Sequence, residues 1–157
     1  MRSSGAVGEK RATISRELNR VKWQDNKVME ATRVAKTIFV VEDDDDIARL
    51  ISHNLEVAGF LVRRFSRATP VVFEAEKRPP ALFLLDLMLP DMDGFELCRN
   101  IRQNTVLRKV PIIILSARTT AMERKRALES GANEYVTKPF SPQDLISRVK
   151  GSCGSGR

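Results

Sequence analysis

Two short apolar runs end in carboxylates, and no other feature of this chain narrows its fold as far. Thr37-Ile-Phe-Val-Val41 leads straight into Glu42-Asp43, and Ala81-Leu-Phe-Leu-Leu ends in Asp86. Strands that are apolar throughout, without alternation, are buried on both faces, as in a parallel sheet covered by helices. Two such strands side by side would gather three acids at their carboxyl ends. Like charges that close repel unless a cation sits among them. The pattern therefore predicts a Mg²⁺ pocket around a phosphoryl-accepting aspartate.

The rest of the chain keeps the same rhythm. Strand patterns fall at about 37–41, 60–65, 82–86, 111–115 and 134–137. Helical patterns alternate with them. The first follows Asp43-Asp44-Asp45-Asp46, of which any of the last three suits an N-cap. It places Ile47, Leu50, Ile51, Leu55 and Val57 mostly on one side and stops at Gly59. The others run at about 69–77, from Gly94 (burying Phe95, Leu97, Cys98 and Ile101), at 120–130, and from Ser141-Pro142 to Gly151. Strands alternating with helices read as α/β, a doubly wound five-stranded parallel sheet with helices on both faces. Ligands of such sheets sit beyond the carboxyl ends of the strands. Asp43, Asp86, Ser116 and Lys138 all follow strand ends, so four polar residues converge on one crevice.

Charge separates the ends of the chain from this pattern. Residues 1–36 hold nine Lys/Arg against four Asp/Glu, whereas the remainder holds eighteen against sixteen. Residues 1–35 thus read as a basic arm, weakly helical or disordered, with a broken a/d-like spacing of Ile14, Leu18, Val21, Val28 and Ala35. Residues 36–150 read as the folded domain and 151–157 as a flexible, linker-like tail. The arm makes DNA a conceivable partner, though a solvated face is the more usual role for such charge. A mobility shift lost on deleting residues 1–36, with a steep salt dependence, is the signature of DNA binding by the arm. No apolar stretch approaches the roughly 20 residues that span a bilayer, and the N-terminus has no secretory h-region. The two cysteines, Cys98 and Cys153, form no C-x-x-C pair, which suits a cytoplasmic location.

The motifs taken together resemble the receiver domain of two-component response regulators. The residues that carry the resemblance are Val40-Val41-Glu42-Asp43, Leu84 to Pro90, Asp93-Gly94, Ile114-Leu115-Ser116-Ala117-Arg118 and Tyr135 to Phe140. They span about Lys36 to Lys150, with 43 residues from Asp43 to Asp86, 30 on to Ser116 and 22 more to Lys138. The resemblance implies a flavodoxin-like sheet in the order 2-1-3-4-5, the order of the chemotaxis receivers. It implies that Asp86 accepts the phosphoryl group. Glu42, Asp43, Asp86 and the backbone carbonyl of Met88 then hold Mg²⁺, while Lys138 and Ser116 contact the phosphate. Ser116 and Tyr135 form the switch pair, with Tyr135 turning inward as Ser116 moves, and Pro139 follows a cis bond.

The resemblance extends to output. Arg124, Glu134, Asp144 and Arg148 match positions that pair across a symmetric dimer in OmpR-like regulators, Arg124 with Asp144 and Glu134 with Arg148. Thr120 departs from that subfamily, which usually has Lys there. Met88 and Arg118 stand where the family tunes loss of the phosphoryl group, and their bulk implies a long-lived phospho-state. The expected partners are a histidine kinase or phosphotransfer protein, an unknown downstream target and a second copy of the chain. No effector pattern follows residue 150, so the chain reads as a single-domain regulator or as the receiver piece of a transcriptional regulator. An Mg²⁺-dependent aspartyl phosphohydrolase is a rival reading. Such enzymes usually carry Asp-x-Asp, whereas Leu87-Met88 follows Asp86 here, so turnover of external substrates is not expected.

Overall fold

The computed structural model describes residues 35–154, together with Arg16. The basic arm predicted over residues 1–35 otherwise lies outside the described residues, as does the end of the tail. Five strands form one parallel sheet: β1 (Thr37–Val41), β2 (Leu61–Phe65), β3 (Leu82–Asp86), β4 (Ile112–Ser116) and β5 (Glu134–Thr137). Their order is β2-β1-β3-β4-β5. Five helices alternate with them: α1 (Asp45–Val57), α2 (Val71–Lys77), α3 (Gly94–Gln103), α4 (Ala121–Glu129) and α5 (Pro142–Gly154). No helix among the described residues is long and apolar enough to cross a membrane.

Side-chain alternation along the central strands divides the core in two. Phe39, Val41, Phe83, Leu85, Ile112 and Ile114 point to one face, where α2, α3 and α4 add Val71, Phe95, Ile101 and Ala127. Ile38, Val40, Leu82, Leu84, Ile113 and Leu115 point to the other, where α1 and α5 add Ile51, Leu55, Leu145 and Val149. Because both faces are covered, β3 and β4 are buried at every position and leave no polar face to read. Each large apolar side chain so buried contributes about 1.5–3 kcal/mol.

A helix face and a helix end differ from the sequence reading. In α1 the buried residues are Ala48, Ile51, Ser52 and Leu55, whereas Leu50 and Val57 are exposed. A helix turning 100° per residue puts positions 48, 51, 52 and 55 on one stripe, and Leu50 and Val57 fall outside it. At the C-terminus, α5 continues to Gly154 instead of fading at Gly151, so residues 151–154 are not a flexible tail. The Lys36 ammonium donates to the Cys153 carbonyl at 3.0 Å, satisfying a terminal carbonyl as a cationic cap does. Cys153 also packs against the α1/α5 side of the core.

Arg102, in the last turn of α3, fastens the loops before β4 and β5. Its guanidinium donates to the carbonyls of Gly131 (2.8 Å), Arg108 (3.1 Å) and Val110 (2.7 Å) and to Asn133 Oδ1 (2.8 Å). Burial lowers its pKa from the ordinary arginine value. Gly131 has φ +105°, and a Cβ there would lie 2.5 Å from Arg102 Cγ, so glycine is needed for both conformation and space. Replacing Arg102 by alanine strands part-buried carbonyls. The expected cost is about 2–4 kcal/mol, seen as a lower urea midpoint at an unchanged m-value.

Candidate functional site

The aligned strand register delivers the polar residues to one edge of the sheet. Val41 pairs with Leu85, Asp86 with Leu115, and Ser116 with Thr137. Glu42 and Asp43 follow β1, Asp86 ends β3, Ser116 ends β4 and Lys138 follows β5. The Lys138 N–H donates to the Ser116 carbonyl at 2.8 Å, and the Lys138–Pro139 peptide is cis.

Carboxylate oxygens of Glu42, Asp43 and Asp86 lie within 4.8 Å of one another. Glu42 and Asp86 are buried and Asp43 is exposed. Lys138 Nζ donates to Glu42 Oε2 at 2.8 Å and stands 3.6 Å from Asp86 Oδ2. Three carboxylates thus face one ammonium. The pKa of Glu42 is pushed up to about 7, chiefly by burial. The hydrogen bond from Lys138 opposes that shift and the charge of Asp86 adds to it.

The acidic run after β1 divides its tasks. Asp44 is the N-cap of α1, accepting from the N–H groups of Asp46 (3.0 Å) and Ile47 (3.1 Å). Asp45 pairs with Arg49 at 2.9 Å and Arg64 at 2.6 Å. A cavity of about 240 Å³ lined by Glu42, Asp43, Asp45, Arg64, Phe65 and Ser66 opens beside the cluster. A larger groove of about 560 Å³, lined by Lys109, Glu134, Arg148 and Ser152 among others, lies near the starts of β4 and β5. Its lining mixes charges and lacks the acid cluster, which borders only the smaller of these two cavities.

The loop after Asp86 is folded tightly. The Gly94 N–H donates to the Leu87 carbonyl at 2.9 Å. A Cβ on Gly94 would lie 2.6 Å from the Asp86 carbonyl oxygen and 2.7 Å from Leu87 Cα, so only glycine lets α3 start this close. Asp93 caps that helix through the Phe95 N–H at 2.8 Å. The Met88 N–H donates to Asp86 Oδ1 at 3.3 Å, and its side chain is exposed. Asp91, which the sequence reading passed over, accepts from the N–H groups of Ala68 and Thr69 (both 2.8 Å) and from the Thr69 hydroxyl. Burial raises its pKa, but these hydrogen bonds outweigh that and hold it at about 2. It ties the loop after β3 to the loop after β2 across 22 and 23 residues of sequence, and no local signal marks such a pairing.

Ser116 is buried, and its Oγ accepts from the Arg118 N–H at 3.1 Å. Tyr135 is also buried, with its hydroxyl donating to the Arg118 carbonyl at 2.7 Å. The ring is therefore inward in this structure, the setting that the sequence reading reserved for the phospho-state. Three of the candidate dimer residues, Arg124, Asp144 and Arg148, line a cavity of about 220 Å³ with Tyr135, whereas Glu134 lines the larger groove near the starts of β4 and β5. Arg148 pairs within its own chain, with Asp144 at 3.0 Å and Glu134 at 3.7 Å. The Arg124 guanidinium lies 5.6 Å from the Tyr135 ring centroid. His53 is exposed and Cys98 is buried in the core.

An α/β sheet in this order, with acids after β1 and β3 and a lysine after β5, defines the receiver class of signalling domain. The chain belongs to the response regulator receiver domain family, which it matches over residues 38–150. It is 44% identical over 113 residues to the phosphate regulon transcriptional regulatory protein PhoB of Rhizobium meliloti, covering 72% of this chain and 50% of the relative. It is 40% identical over 115 residues to the alkaline phosphatase synthesis transcriptional regulatory protein PhoP of Bacillus subtilis, covering 73% and 47%. The chain therefore spans about half the length of the curated relatives it matches. Among solved structures it resembles the BeF3-activated receiver domain of DrrB, a Thermotoga maritima OmpR/PhoB homolog, with a TM-score of 0.69 and 31% identity, covering 77% of this chain and 99% of that one. It is thus a PhoB/OmpR-like receiver domain of a two-component system.

In metal-free protein, a raised Glu42 pKa links stability to pH. The folded state keeps a proton on Glu42 that the unfolded chain releases near 4.5. The stability it contributes is complete below pH 4.5 and is lost as pH rises through about 7. Glu42→Gln should flatten the stability profile across that window, measured by urea unfolding in the presence of a chelator. A profile that keeps its wild-type slope would contradict the raised pKa.

Proposed function

We propose that this chain accepts a phosphoryl group on Asp86 from a histidine kinase or phosphotransfer protein and converts it into a change of binding surface. The observation that carries this reading is Lys138 Nζ standing between Glu42 (2.8 Å) and Asp86 (3.6 Å) beside the acid cluster. An Asp86 carboxylate oxygen attacks phosphorus, the bond to the donor nitrogen breaks, the imidazole leaves, and an acyl phosphate forms. Lys138 gives its positive charge to a phosphoryl oxygen. The Ser116 hydroxyl and the Met88 N–H supply further donors.

The donor set of the cluster suits Mg²⁺, being all hard oxygen and close-spaced. Glu42, Asp43, Asp86 and the Met88 carbonyl would hold the ion, which neutralises charge and orients the incoming phosphate. No acid stands two residues after Asp86 to protonate a leaving group, so the site is read as a reversible acceptor and not as a hydrolase. The added charge, about −1.5 to −2, draws Ser116 and biases the Ser116–Tyr135 pair. The readout is the α4–β5–α5 face, through a downstream protein or through pairing of Arg124 with Asp144 and Glu134 with Arg148 between two copies. As the named relatives are transcriptional regulators, we read the chain as the receiver of such a regulator, working in the cytoplasm.

Incubation with acetyl phosphate and Mg²⁺ tests the proposal. Intact mass should rise by one phosphoryl group in wild type and not in Asp86→Asn, and chelating the metal should abolish the gain. Size measured on the same samples reports dimerisation. With bulky Met88 and Arg118 beside the site, the phospho-form should persist in purified protein with no phosphatase added. Its rapid loss would count against the long-lived state.

A further inference from the structure

Arg118 joins three parts of the switch region. Its N–H donates to Ser116 Oγ and its carbonyl accepts from the Tyr135 hydroxyl, at 3.1 and 2.7 Å. Its guanidinium donates to Glu123 Oε1 at 3.1 Å. One residue therefore links the end of β4, the buried aromatic of β5 and the first turn of α4. Glu123 is itself fixed, since its N–H donates to Thr120 Oγ1, the cap of α4, at 3.2 Å. Glu123 Oε2 is buried with no hydrogen-bond partner among the described residues. A carboxylate that is partly buried and half satisfied costs free energy, and the guanidinium it faces is what offsets that cost.

We infer that Glu123 is a positioning residue: through Arg118 it straps the β4–α4 connection, and so biases Tyr135 toward its inward setting. A free β4–α4 connection would let the Arg118 carbonyl drift from the tyrosine hydroxyl, and the ring would lose its only hydrogen bond identified among the described residues. The strap thus adds a second input to the switch, an ion pair open to salt because the Arg118 side chain is 47% exposed. The ring position stands on this geometry alone. Its meaning as a signal rests on the phosphoacceptor reading above.

The chain holds one tyrosine, so protein grown with 3-fluorotyrosine gives a single ¹⁹F resonance that reports Tyr135. Broadening by a neutral gadolinium chelate measures ring exposure. Glu123→Gln and Arg118→Gln should each raise exposure by about two- to fivefold, the range expected of a part-exposed ion pair. The double variant should be no worse than either single, because both remove one interaction. Near 1 M NaCl, wild type should approach the variants while Glu123→Gln barely responds, since about 3 Å of Debye length screens the pair; this arm needs no variant to fold. Unchanged exposure in both variants, additive effects, or a wild-type ring indifferent to salt would each overturn the strap. So would exposure that rises in Arg124→Ala but not in Glu123→Gln, which would show the stacked guanidinium to be the holder. Phosphoryl uptake from acetyl phosphate is measured by mass on the same samples, and Glu123→Gln should match wild type. Failure of wild type to take up phosphate sinks the phosphoacceptor reading and leaves the ring result standing.

Discussion

Negative charge that the fold itself concentrates is the constraint around which the rest is arranged. Parallel register sets Glu42-Asp43 and Asp86 side by side at the ends of β1 and β3. In a half-buried setting, such a group is unstable without a positive partner. The protein supplies one amine, Lys138, placed by β5 and the turn that follows it. Burial moves the proton affinity of Glu42 into the neutral range as a further response. A site that already needs more positive charge than it has suits a cation.

Rigid supports surround this charge. Gly94 lets α3 begin against the back of Asp86. Asp91 anchors the loop after β3 to the loop after β2, and Arg102 locks the loops at the opposite ends of β4 and β5. None of these residues bears on the chemistry directly. Each removes freedom from the backbone that carries it, which is how a carboxylate is kept in one orientation without a ligand to hold it.

Much of this was readable in the sequence. Short unbroken apolar runs rich in β-branched residues, such as Ile112-Ile-Ile-Leu115, read as buried strands, and the polar residues that follow them fall at one edge because all strands point the same way. What escaped was set by contacts across space. The partners of Asp91 lie more than twenty residues away, and the carbonyls that hold Arg102 in place have no side-chain signature. Leu50 and Val57 looked like core from their type, but the angular stripe of α1 excludes them. The extension of α5 escaped because glycines at 151 and 154 normally end helices, and the Lys36 contact that supports this one comes from the start of the domain.

That same contact has a geometric consequence. Lys36 enters β1 and Cys153 closes α5, yet they touch, so the chain comes into the domain and leaves it at one point. This point is at the amino edge of the sheet, whereas the acid cluster is at the carboxyl edge. Anything tethered before or after the domain pulls on a single corner, with the full length of the strands between that pull and the Asp86 carboxylate.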